Sequence, residues 1–299
     1  MNSADNQPLV PELLRMPLMS RPTVIYEPPA LRHIHPLAAL RRLRHFRDLF
    51  VTLSLHRINV RYKQSRLGIV WAVIQPLAMM VVFTLIFTLV RANPGGPVPF
   101  PLFAYAALVP WTMFSSGLSA ASAALTSHAS LLTKVAFPRE ILPLTYIVAA
   151  LVDFALSSAV LFGLMLWFGV TPSWTVVWAL PAILLLVVFL IGLALLLAAM
   201  QVRYRDVGLA MPLLLQLWLF ASPVLYGLAA VRNALPEPLY VVYTLNPLVG
   251  IIDTFRRAVV LQQSPDYFAL GISTAVAFLL LPVSYLYFKY VELTVADTV

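Results

Sequence analysis

The sequence predicts an all-α integral membrane fold with six transmembrane helices, and three observations carry that prediction. The 299-residue chain is 61% hydrophobic and 11% charged, with a mean hydropathy of +0.88. Such a chain lacks the polar surface to cover itself as a water-soluble globule does. From Leu67 to Val90 no residue is charged, and about 20 apolar residues rising ~1.5 Å each cross a hydrocarbon layer of about 30 Å. Six runs of this kind, at approximately 68–90, 102–125, 141–169, 177–200, 208–228 and 267–290, are bounded by Pro, Gly or charged residues. They leave no stretch large enough for a separate soluble domain.

Before the first span lies a Pro-rich tail, 1–38, with Pro8, Pro11, Pro17, Pro22, Pro28 and Pro29. Its composition favours an extended chain, and no apolar core follows a basic start as in a cleaved signal peptide. Residues 39–66 form the next unit. Within Leu40–Leu55, Leu43, Phe46, Leu49, Phe50 and Leu53 fall on one arc at about 100° per residue, with Arg41, Arg44, His45 and Asp48 on the other. The pattern fits an N-terminal amphipathic helix lying in the membrane interface, or a helix packed on a soluble partner. A basic segment then carries Arg61, Lys63 and Arg66 to the edge of the first span. The transmembrane domain takes up 67–290, and 291–299 form a C-terminal tail.

Orientation follows from Lys and Arg. Basic residues crowd before the first span, after the second (Lys134, Arg139), after the fourth (Arg203, Arg205) and at the end of the sixth (Lys289). The opposite loops hold Arg91 in the first and no charge from Thr171 to Thr175. Both termini are therefore expected in the cytosol. The formal charge of +8 reads as membrane anchoring rather than nucleic-acid binding.

The stretch between Tyr226 and Asp266 is no simple hairpin. Leu239–Leu245 and Leu248–Val260 are apolar but too short to cross, and Asn246-Pro247 separates them. They suit re-entrant half-helices before the last span, or surface helices of an external loop. Asp253 and Arg257, four residues apart, can pair on one helix face, with Arg256 beside them.

Two cytosolic loops look built for contact. In the first, Leu131, Leu132, Val135 and Phe137 alternate with Thr133, Lys134 and Arg139 ahead of further apolar sequence, and Pro138 stops the short helix. The second is the turn Arg203-Tyr204-Arg205-Asp206. Anchoring at the bilayer edge explains either loop as well as a partner does.

Several chemistries are excluded. The sequence has no Gly-x-x-x-x-Gly-Lys-Ser/Thr loop to cradle ATP phosphates, no His-Glu-x-x-His or Gly-x-Ser-x-Gly string, and no cysteine. The five histidines fall outside the spans. Asp153 is the one acidic residue clearly inside a span, a placement costing about 2.5–3.5 kcal/mol on insertion scales. It is a functional candidate or a hydrogen-bonded structural carboxylate. An ion-coupled flippase usually needs a relay of such groups. A transferase acting on polyprenyl-linked sugars needs paired carboxylates, whereas Asp153, Asp206 and Asp253 belong to different depths.

Arg61-Tyr62-Lys63-Gln64-Ser65 with Leu67-Gly68, Trp71 and Pro76, Pro110-Trp111, Leu132-Thr133-Lys134-Val135 with Phe137-Pro138, Val202-Arg203-Tyr204-Arg205-Asp206, Ser222-Pro223-Val224 and Asn246-Pro247 with Arg256 occur in that order. Over about residues 40–290 the chain resembles the permease subunit of ABC-2 type polysaccharide exporters. The resemblance implies export of lipid-linked O-antigen, capsule or teichoic acid across the bacterial cytoplasmic membrane. The permease would work with a second copy of itself and two separate ATP-binding-cassette subunits, which would hold the ATP and Mg; this chain would carry no cofactor and catalyse nothing.

Residue by residue, the resemblance makes Leu131–Arg139 the coupling helix and the Arg203–Asp206 turn a smaller ATPase contact. The pieces within 239–260, with Asn246, Pro247, Asp253, Arg256 and Arg257, become an external gate. Arg61, Lys63 and Arg66 stand where a diphosphate headgroup would arrive. Trp71, Trp111, Phe114, Asp153, Trp218, Phe220 and Tyr226 are candidates for a path along which sugar rings stack and slide.

Overall fold

The helix Phe100–Ser122 (α3) is the axis of the molecule: from Leu102 to Val109 every residue is buried. In the computed structural model, residues 45–63, 68–90, 96, 98–134 and 137–295 are described. Among them the structure is helical, with no strand. The helices are α1 (Arg47–Lys63), α2 (Trp71–Leu89, led in by a 3₁₀ turn at Gly68–Val70), α3, α4 (Ala129–Lys134), α5 (Ile141–Trp167), α6 (Ala179–Arg203, led in by a 3₁₀ turn at Trp174–Trp178), α7 (Asp206–Phe220), α8 (Leu228–Ala234), α9 (Glu237–Thr244), α10 (Pro247–Arg256, running on as a π-turn, Arg257–Leu261) and α11 (Tyr267–Val295).

Local chemistry sets the boundaries. Gly68 has φ +48° and breaks α1 from α2. Past α5, Gly169 at φ +72° closes a paired turn, its N–H donating to the Leu166 carbonyl at 3.2 Å while Val170 N–H reaches Met165 at 2.8 Å. The Asn246 side chain caps α10 through Leu248 N–H at 3.1 Å, with Pro247 in the first turn where its missing donor costs nothing. Asp266 caps α11 in the same manner through Phe268 and Ala269 N–H.

Among the described residues, four segments are long and apolar enough to cross a membrane: Gly68–Leu89, Ile141–Trp167, Trp174–Arg203 and Tyr267–Glu292. α3 has 23 residues and no charge but carries more polar side chains. α7 is only 15 residues long, about 22 Å at ~1.5 Å per residue. The expectation of a fifth span reaching 228 is thus corrected. The helix stops at Phe220 because Pro223 lacks a donor and pushes Ser222 out of helical geometry, and the chain turns at Ala221–Pro223. α11 runs on to Val295, beyond the expected boundary at 290.

α3 packs against α5, α6, α2 and α10; α6 lies along α11; and α10 is wedged between α11, α6 and α3. Close approach explains the contact of α10 with α11, since a Cβ on Gly250 would stand 2.4 Å from the Ala269 carbonyl oxygen. The main core lies around α3. A second cluster at the basic end joins Phe137, Ile141 and Leu142 to Leu195, Phe288 and Val291.

The apolar arc of α1 is spent on that second cluster: Phe46, Leu49, Phe50 and Leu53 all pack against it. The amphipathic pattern marked a face that packs without saying against what. Leu40–Arg44 lie outside the described residues. Val51 and Leu55, off the arc, are exposed apolar residues of this helix.

Candidate functional site: a polar tract between α2, α3, α5 and α7

Where α1 meets α2, Tyr62 donates a hydrogen bond to the Asp153 carboxylate on α5. Beside this pair is a cavity of about 110 Å³ lined by Trp71 and Gln75 of α2, Thr112 and Ser116 of α3, Asp153 and Tyr62. One turn further, Ser157 Oγ donates to the Ala72 carbonyl at 3.0 Å and fixes α5 to α2. A second cavity of about 320 Å³ continues between α2, α3 and α7, with Trp111, Ser115, Gln216 and Phe220 among its walls. Gln75 and Thr112 line both, so the two adjoin. The tract presents hydroxyls, amides and one carboxylate between aromatic faces. This is the chemistry that meets a polyhydroxylated ligand: hydrogen bonds to its hydroxyls and weak stacking on its rings.

Of the residues the sequence nominated for a path, Trp71, Trp111, Asp153 and Phe220 line these cavities. Phe114, Trp218 and Tyr226 do not; they are committed to packing. Phe114 stacks on Phe189 with centroids 5.6 Å apart, and Trp218 stands edge-on to Phe114 at 5.2 Å. Tyr226 donates to the Phe220 carbonyl at 2.7 Å. Sequence reasoning did not single out Thr112, Ser115, Ser116 and Gln216, which also line these cavities, and read Gln75 only as a motif letter. Their signal was a polar side chain inside an apolar run, which Asp153 gave more loudly.

The nominated gate residues meet at the other end. Asn246 accepts from Trp218 Nε1 at 3.0 Å and donates to the Ala221 carbonyl and Ser222 Oγ, stitching the end of α7 to the start of α10. Pro247 and Asp253 are buried. Arg256 is 0% exposed. Its Nη1 donates to Pro223 and Val224 carbonyls at 2.9 and 3.4 Å, and its Nη2 donates to the Tyr226 carbonyl at 3.2 Å and to Asp253 at 3.2 Å. The guanidinium also lies 4.0 Å over the Phe103 ring. Arg257 pairs with Asp253 at 2.8 Å, the i,i+4 pairing expected.

The two nominated coupling segments lie at one end, since Leu131 of α4 and Val202, just before the Arg203 turn, both pack on the second cluster. Arg203, Arg205 and Asp206 are exposed, with Arg203 5.7 Å over the Tyr204 ring. Phe137 is buried and Arg139 half-buried. The side chains of Leu132, Thr133 and Lys134, all of Val135, the Arg61 side chain and all of Arg66 lie outside the described residues; Lys63 is exposed.

Lys289 departs from its expected role as an anchoring charge. It is 4% exposed and donates to Glu140 and Glu292, each at 2.7 Å. Next door, Arg57 bonds to His128 and lies 4.6 Å over the Tyr146 ring.

The arrangement is that of a multi-helix membrane protein with an internal polar tract, and the comparisons say which class. The ABC-2 type transporter family matches residues 49–260, and the chain belongs to that family. It is 34% identical over 243 residues to the O-antigen export system permease protein RfbA of Myxococcus xanthus, covering 81% of this chain and 92% of that one. RfbA of Klebsiella pneumoniae is 28% identical over 211 residues, 70% of this chain and 79% of its own. The polysialic acid transport protein KpsM of Escherichia coli is 26% identical over 231 residues, covering 74% and 83%.

Proposed function

We propose that this chain is the membrane-spanning subunit of an ATP-driven exporter of lipid-linked polysaccharide in a bacterial cytoplasmic membrane. It would act as a pair with two separate ATP-binding-cassette subunits. The observation that carries the reading is the tract of two adjoining cavities, polar between aromatic walls, in a chain whose relatives are named for O-antigen and polysialic acid transport.

In this reading α3 and α7 complete six spans, and both termini face the cytosol. Headgroup phosphates meet Arg61, Lys63 and Arg66, whose cations lower the cost of taking an anion out of water. The glycan then passes Asp153, Gln75 and Trp111, held by hydrogen bonds that exchange as it slides. Closure of the ATPase subunits pushes on α4 and the Arg203–Asp206 turn and tilts the spans. Two half-helices, α9 and α10, cover the external end as the gate.

A transferase reading finds no support. Asp153 is hydrogen-bonded to Tyr62, Asp206 is exposed in a turn, and Asp253 is held in ion pairs with Arg256 and Arg257, so each buried carboxylate has its own partner.

The test is a pull-down of the tagged chain in mild detergent from cells that make its export system, wild type beside Leu132→Asp. ATP hydrolysis is then assayed in the eluate. ATPase recovered with wild type and lost with Leu132→Asp is the expected result. A chain that holds no ATPase under any mild condition overturns the reading.

A further inference from the structure

The loop that carries α4 is tied down at both of its ends by buried or half-buried polar clusters that the transport path does not use. At the leading end, Arg57 of α1 donates to His128 Nε2, while His128 Nδ1 bonds to the Ala124 carbonyl at 3.0 Å. Donation by Arg57 requires the imidazole to be neutral with its proton on Nδ1, so the two bonds enforce one another. Arg57 also covers the face of Tyr146, on the first turns of α5. At the trailing end, Lys289 of α11 bridges Glu140 and Glu292, and Arg139 donates to the Glu292 carbonyl at 3.4 Å. Glu140 immediately precedes α5.

Hydrophobic contact alone would let this loop slide. A shift of the α4 loop that left α11 behind would part the buried Glu140 carboxylate from Lys289, which keeps only Glu292 of its own helix, and an unpaired buried carboxylate is far costlier than a lost apolar contact. The loop is therefore free to move only together with α1 at one end and α11 at the other.

We propose that Arg57–His128 and Lys289–Glu140–Glu292 are positioning clamps. They convert displacement of the α4 loop into concerted displacement of α1, which borders the path through Tyr62, and of α11, on which the gate helix α10 packs. The inference rests on the exporter reading above and names the residues that would link ATP hydrolysis to movement of the path and gate.

Export per ATP hydrolysed is the quantity that separates a clamp from a merely structural contact. Lys289→Met, Lys289→Arg, Arg57→Met, Arg57→Lys and the exchange Glu140→Lys with Lys289→Glu are compared in the full complex. Three readouts are taken: ATPase subunits retained on pull-down, hydrolysis rate, and glycan delivered to the cell surface. Both Met variants should keep the ATPase and most hydrolysis while export per ATP falls roughly 2- to 30-fold, the range through which residues along a coupling route act. Lys289→Arg and the exchange should recover most of that loss. Export and hydrolysis falling by the same factor in both Met variants, or export per ATP unchanged, overturns the clamps while leaving the exporter intact. If Lys289→Met does not accumulate, Arg57→Met, whose site is partly open, decides by the same criterion. A wild-type chain with no ATPase attached refutes the exporter reading itself and is read separately from either result.

Discussion

Arg256→Met removes the side chain that satisfies the turn between α7 and α8. In the wild type the guanidinium supplies charged donors to the carbonyls of Pro223, Val224 and Tyr226 and to Asp253. The Val224 contact, at 3.4 Å, is long and adds little. The Pro223 and Tyr226 bonds are worth about 1.5–3 kcal/mol each as bonds to an ion. Asp253 keeps Arg257 at 2.8 Å, so its loss is partial. Methionine keeps packing on Phe103 and offsets part of the deficit. The net destabilisation is about 3–5 kcal/mol, in the range for breaking a buried charged network. At ~2–4 °C per kcal/mol, the melting temperature in mild detergent should fall by roughly 6–20 °C. Arg256→Lys keeps the charge but loses the fork that reaches two carbonyls at once, and should fall about half as far. A melting temperature for Arg256→Met within about 2 °C of wild type refutes the argument that this network holds the turn.

Gly250→Ala should destabilise by at least ~1–3 kcal/mol, because the added carbon meets the Ala269 carbonyl and Ser273 Oγ at 2.4 Å and must part α10 from α11. Gly163→Ala, where a Cβ meets nothing within 4 Å, should be neutral or stabilise by ~0.5–1 kcal/mol; equal melting temperatures for the two variants contradict the packing argument. His128 gives a pH prediction. Burial holds its imidazole below the usual 6.5, the Arg57 and His56 charges add to that, and the Ala124 carbonyl opposes it. The fold therefore favours the neutral ring, so its contribution is complete above about 6.5 and declines as pH falls from there through the lowered value. Wild type should lose more melting temperature than His128→Gln between about pH 7 and pH 5, and parallel slopes overturn the assignment.

What the sequence made legible was whatever local patterning dictates. Long uncharged runs marked helices, Asn246-Pro247 marked the break before α10, and the i,i+4 spacing marked Asp253–Arg257. Hydropathy separates residues that avoid water from those that do not, but it cannot separate lipid-facing from protein-facing ones. That is why the arc Phe46, Leu49, Phe50 and Leu53 fitted either a membrane surface or a soluble partner, while in the fold it packs, half-buried, on the cluster around Phe137 and Phe288. For the same reason it did not show that Phe114 and Trp218, nominated as aromatic faces, are packed together with Phe189. Charges at helix ends carried a second ambiguity. Lys289 fitted the expected boundary pattern and Arg256 was read beside Asp253, yet Lys289 also reaches Glu140 and Arg256 the Pro223 turn, partners far along the chain where no spacing rule reaches.

The wedge formed by α10 bears on how the chain is made. Ten residues rise about 15 Å, too little to be threaded across a bilayer as a span of its own. Its seat is built from α3 and α6, synthesised before it, and from α11, synthesised after it. Until Ala269 and Ser273 emerge, Gly250 lacks the surface it packs against. The seat of α10 is therefore complete only once the last helix is in place, and a chain cut before Tyr267 lacks the face on which Gly250 packs.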